Sequence, residues 1–197
     1  MPFPNSESLQ KAIQEYFKKP RVDHTSEEAL IQILEERKNK HSIYYAILAL
    51  RDVGTQKSIS ALKSLYDYPM QDIKDCSLLT ISHIAGVSET DYYISIYNQK
   101  GTKKGYAIWA ISDSGDERAF ELVTSYLEKE YKKILAGKCN NDIFIMGLQY
   151  LLRFISYNTK AEVLIQKYLS AAEFIPNEYK YSFNKITVLY ATKHHLK

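Results

Sequence analysis

Trp109 and Asp113 lie four residues apart in the stretch "AIWAISDSGDERAF", residues 107 to 120. On a helix that spacing puts an indole and a carboxylate on one face, a small pocket with an acid in it. No other arrangement in the chain does as well. Of the five histidines, His24, His41, His83, His194 and His195, none has an i, i+4 partner suited to metal. His194 and His195 are adjacent and diverge on a helix. Cys76 precedes His83 by two turns, but a cysteine in an apolar helix reads as core before it reads as nucleophile. No G-x-S-x-G, Gly-rich phosphate loop or paired-carboxylate motif occurs. The residues therefore predict no metal and no cofactor, and they leave the Trp109–Asp113 pair as the single catalytic candidate.

The elements that must position such a pair come from a chain of ordinary globular composition, 45% hydrophobic and 25% charged, with only 7 Gly and 5 Pro. Its two cysteines, Cys76 and Cys139, are far apart and outside any C-x-x-C, which predicts reduced apolar fillers and a cytoplasmic protein. The start "MPFPNSESLQ" carries no basic region followed by an apolar run, and no apolar segment reaches the roughly 18 residues of a membrane span. A formal charge of +3 raises the question of nucleic acid. Between Lys100 and Asn140, however, eight basic residues are interleaved with six acidic ones, the pattern of a solvated helix face rather than a phosphate-binding stripe.

Helical periodicity dominates. Tyr179, Phe183, Ile186 and Tyr190 recur at intervals of four, three and four, one stripe of a helix. Thr25-Ser26-Glu27-Glu28, Ser88-Glu89-Thr90-Asp91 and Asn140-Asn141-Asp142 read as helix starts, and about eleven helices are expected. Gly54, Gly86 and Gly115 each close one of these runs, spaced 32 and 29 residues apart. That period belongs to stacked helical hairpins, each burying its apolar face on the next. Asp52 and Asp113 both stand two residues before their glycine, so the acid of the opening pair recurs as part of a repeat corner, where a helix-end acceptor is the simpler role.

The segment from Thr55 to Gly86, "TQKSISALKSLYDYPMQDIKDCSLLTISHIAG", resembles a HEAT-like repeat of the phycobilisome-lyase type, an armadillo-type fold. The resemblance rests on Asp67 at the turn, Ile73-Lys74 where the family usually has Val-Arg, the small Ser77 and the closing Gly86, and it extends over residues 41 to 126. It implies an all-α, right-handed α-α superhelix in one domain, residues 1–197. An N-terminal helix would precede five hairpins, near 24–54, 55–86, 87–115, 116–156 and 157–195. It also implies that the second helices, near 41–52, 71–85, 102–112, 141–155 and 177–194, line a concave face. By repeat register that face carries His41, Tyr45, Leu48 and Asp52, then Ile73, Ser77, Thr80 and Ile84. Thr102, Tyr106, Trp109 and Asp113 follow, and then Ile143, Gly147, Tyr150 and Phe154.

HEAT-like alkyl-DNA glycosylases keep a tryptophan and an acid on such a face, but they add further aromatics and a basic groove that this sequence does not show. The chain has 17 tyrosines, and neighbours such as Tyr44-Tyr45 and Tyr92-Tyr93 cannot both point inward from one helix. Exposed tyrosine is a favoured anchor of protein interfaces. The expectation is therefore a non-enzymatic interaction module that grips a protein partner through Tyr45, Ser77, Thr80, Tyr106, Trp109 and Tyr150. One form of it is a small inhibitor or immunity protein acting on a toxin. Asp52, Gly54, Gly86, Asp113 and Gly115 are expected as structural corners, and a glycosylase-type enzyme is the alternative.

Overall fold

The computed structural model describes residues 7–18, 26–100, 104–138 and 143–195. Across them the chain is all-α, with eleven helices and no strand. Helix α1 spans Glu7–Lys18, α2 Glu27–Glu36, α3 Lys40–Val53, α4 Ile59–Ser64, α5 Gln71–Ala85 and α6 Thr90–Asn98. Then come α7 (Lys104–Ser114), α8 (Phe120–Leu135), α9 (Ile143–Leu152), α10 (Thr159–Leu169) and α11 (Asn177–His195). The five expected second helices correspond to α3, α5, α7, α9 and α11.

Side-chain caps explain several of the starts. Ser26 Oγ accepts the Ala29 N–H at 3.1 Å, Asn39 Oδ1 the Ser42 N–H at 2.9 Å and Asn158 Oδ1 the Ala161 N–H at 3.2 Å, each satisfying an amide the first turn leaves open. The expected start at Ser88 is displaced: Ser88 Oγ donates to the Ala85 carbonyl at 2.8 Å within a 3₁₀ turn, and α6 begins at Thr90 with no side-chain cap. Asn140 to Asp142 lie outside the described residues, as do Thr25, His24, Thr102 and Cys139. On α11 the apolar stripe is in place, with Phe183 and Ile186 buried and Tyr179 and Tyr190 half-buried.

Where the sequence predicts one array, the chain divides into two compact units, Met1–Ala110 and Ile111–Lys197, and the division falls inside α7. In the first unit α2 packs on α3 and α4 on α5, α3 packs on α5, and α1 rests on α3. Polar links tie successive hairpins: the Thr55 N–H donates to Glu27 Oε1 at 2.6 Å, 28 residues away, and Arg37 Nη1 donates to Asp67 Oδ1 at 2.8 Å, 30 residues away. Asp67 thus takes its cation from the preceding hairpin. Lys74 places its ammonium over the Tyr66 ring, 5.6 Å from the centroid.

In the second unit α9 is central, packed by α8, α10 and α11. Its polar links span a longer step. Lys160 Nζ reaches Glu121 at 2.6 Å and Lys167 Nζ reaches Glu128 at 2.7 Å, each 39 residues apart, and Lys193 Nζ donates to the Leu152 carbonyl at 2.8 Å, 41 residues back. The extra length lies in α8, 16 residues against 6 for α4 and 9 for α6. The sequence separation of these links therefore differs between the two units.

Candidate functional site

The expected contact column separates into buried and half-exposed parts. Tyr45 and Tyr106 are half-buried and keep some surface, whereas Ser77, Thr80, Trp109 and Tyr150 are buried. Those four are not contacts on an open face, and the reason is local. Ser77 Oγ donates to the Leu62 carbonyl at 2.6 Å, so it faces α4, the first helix of its own hairpin. The equivalent residue in α9 is Gly147, where a Cβ would come within 2.5 Å of Leu127 Cδ2 on α8. At both crossings a small residue lets the paired helices approach closely. Tyr150 follows the same direction: its ring lies 6.5 Å from that of Phe120, and its hydroxyl donates to the Asp116 carbonyl at 2.7 Å. Burial pushes its phenol pKa up, with the Asp116 and Glu117 carboxylates adding to the shift. Thr80 is fully buried, and its hydroxyl has no partner among the described residues.

Trp109 is 5% exposed and stacks on Tyr106, the rings 6.2 Å apart and 6° from parallel. An indole packed in this way does not offer a face to a substrate. The unit boundary after Ala110 places Trp109 at the close of the first unit and Asp113 at the opening of the second. Asp113 is half-buried, and its carbonyl accepts Arg153 Nη1 at 3.1 Å.

The corner residues are less alike than their spacing. Gly86 and Gly115 have positive φ, +51° and +72°, whereas Gly54 caps α3 in an extended conformation at φ −69° beside an exposed Asp52. The acid that caps the segment after Gly115 is Asp116. Its Oδ1 accepts the Arg118 N–H at 2.9 Å, and its Oδ2 accepts Arg118 Nη2 at 2.7 Å. Asp116, directly after a glycine at a helix end, is the sequence signal for this Asx turn.

The remaining reactive groups are inert or scattered. Cys76 is fully buried, and burial pushes its thiol pKa up, so it stays protonated as a packing residue. Among the described residues no group of three or more His, Cys, Asp or Glu is placed to hold a metal ion, and no helix is long and apolar enough to cross a membrane.

The exposed apolar surface lies elsewhere. Tyr44 and Tyr93 are buried while Tyr45 and Tyr92 are half-buried, the split that adjacency on a helix requires. Of the large apolar side chains exposed among the described residues, Val53 and Val87 lie in the first unit and Leu135, Tyr157, Val163, Phe174, Tyr181, Val188 and Leu189 in the second. On α11 Tyr181 is 83% and Val188 64% exposed, and at 100° per residue both point directly away from Phe183 and Ile186. The outer side of the helix thus carries two large apolar side chains among Asn184, Lys185 and Thr192. No family model, curated protein or solved structure matches the chain.

Proposed function

We propose that the chain is a non-enzymatic, HEAT-like repeat protein that binds a protein partner, with the outer face of α11 as the contact surface of its second unit. The observation that carries this reading is the pair Tyr181 and Val188, exposed at 83% and 64% on a helix whose opposite face is already buried. Two large apolar side chains exposed on one face of a helix, seven residues apart, are anchors that a partner helix can use. Tyrosine in an exposed apolar stripe is also the residue type that most often anchors protein interfaces. The repeat reading draws support from the links at 28 and 30 residues, Glu27 with Thr55 and Arg37 with Asp67.

The test is site-specific photocrosslinking in the native cell, with the photoreactive residue placed at Tyr181 and, as a control, at the exposed Lys129 of α8. A defined protein adduct at 181 that is missing at 129 is expected. Identical adducts at the two positions, or none at 181, refute the reading.

A further inference from the structure

The outer face of α11 has a charge as well as a shape. Tyr181, Lys185, Val188 and Thr192 recur at intervals of four, three and four, a single outward stripe. Over Asn177–His195 there are three lysines and one acid. Lys193 is committed inward to the Leu152 carbonyl. Lys180 and Lys185 are exposed, and neither has an acidic partner among the described residues. The lysines along the seam between α8 and α10 differ, because Lys160 holds Glu121 at 2.6 Å and Lys167 holds Glu128 at 2.7 Å. The single acid, Glu178, sits in the first turn, where the helix dipole already favours it. Lys185 and Lys180 thus stand on either side of Tyr181 and Val188, without an acidic partner among the described residues.

We infer that this face receives an acidic amphipathic helix of a partner protein, with its apolar side chains on Tyr181 and Val188 and its carboxylates on Lys185 and Lys180. The inference rests on the reading of α11 as a contact surface and adds the chemistry of the occupant. Tyr181 and Val188 are separated by two helical turns, about 10 Å along the axis, which matches the i, i+7 anchors of a helix laid against a helix. A second copy of this chain fits less well, since two-fold pairing of the stripe would bring Lys185 against its own counterpart.

The experiment uses the full chain and labelled amphipathic peptides of about 18 residues, five turns of helix. They share one leucine stripe and differ only in a polar face of Glu, Gln or Lys, with binding read by fluorescence anisotropy. The Glu peptide is expected to bind, to weaken with salt, and to weaken about tenfold or more on Tyr181→Ala or Val188→Ala. Lys180→Glu with Lys185→Glu should lose the Glu peptide and gain the Lys peptide. All four residues are exposed, so circular dichroism should be unchanged. No binding of the Glu peptide, equal binding of all three peptides, or indifference to Tyr181→Ala overturns the inference. So does self-association of the chain in sedimentation that Val188→Glu abolishes, because it identifies a second copy as the occupant. A crosslinked partner at 181 together with failure of the Glu peptide removes the acidic occupant and leaves the protein-binding function. Peptide binding without any cellular adduct does the reverse.

Discussion

Replacing Gly115 with alanine tests the α7 corner and separates two physical terms. Gly115 holds φ +72°, where an L side chain costs roughly 1–2 kcal/mol, and Arg153 fills the space a Cβ would take. The guanidinium is exposed and would swing into water, losing its bond from Nη1 to the Asp113 carbonyl at 3.1 Å. An exposed bond of this kind is worth about 0.5–1 kcal/mol, so Gly115→Ala should cost roughly 2 kcal/mol in total. Gly137 is an internal control in the same unit, with φ +69° and nothing within 4 Å of its Cβ position, so Gly137→Ala should cost the backbone term alone. In an Arg153→Ala background the two substitutions should become equal. Urea unfolding followed by circular dichroism gives the energies, and amide exchange in α9 locates them in the second unit. Equal costs for the two glycines in the wild-type background, or a gap that survives Arg153→Ala, would refute the account.

Three further outcomes follow from single contacts. The chain has one tryptophan, so buried Trp109 should emit at short wavelength and resist quenching by acrylamide; ready quenching would show an open indole and revive a substrate-facing role. Tyr150→Phe removes the 2.7 Å bond to the Asp116 carbonyl and should lower stability by about 1–2 kcal/mol in urea unfolding; an unchanged midpoint would show that the corner does not need it. Lys167, bonded to Glu128, holds that carboxyl below the usual carboxylate range, with Tyr168 adding to the shift and partial burial opposing it. A depressed folded pKa stabilises above the unfolded value and loses that contribution as pH falls through the folded one. The stability gap between wild type and Lys167→Met should therefore be full near neutral pH and close below about pH 4, whereas a gap constant with pH would mean the contact is one of packing.

The helices were legible because each writes its buried face into a 3.6-residue stripe. Phe183 and Ile186, or Ile43, Ala46, Ile47 and Leu50, are buried where the spacing puts them. The hairpin expected over 116–156 is longer than those before it, and α8 at 16 residues takes up the extra length. The direction of the Tyr45, Ser77, Tyr106 and Gly147 column was not legible. Repeat register states which positions are equivalent, but it does not state which of two surfaces an equivalent position meets. The clue was size: a serine and a glycine at positions that carry tyrosine elsewhere mark a close helix crossing, because a site open to solvent has no need of a small residue.

The inner stripe of α11 satisfies the expected period, whereas Tyr181 and Val188, seven residues apart, face outward. Packing within the second unit leaves Tyr181 and Val188 exposed on the outward face. Lys180 and Lys185 then decide between covers, since a neutral or basic surface laid on that stripe would leave two ammonium groups partly desolvated without a counter-charge. An acidic helix satisfies the apolar stripe and the charges together.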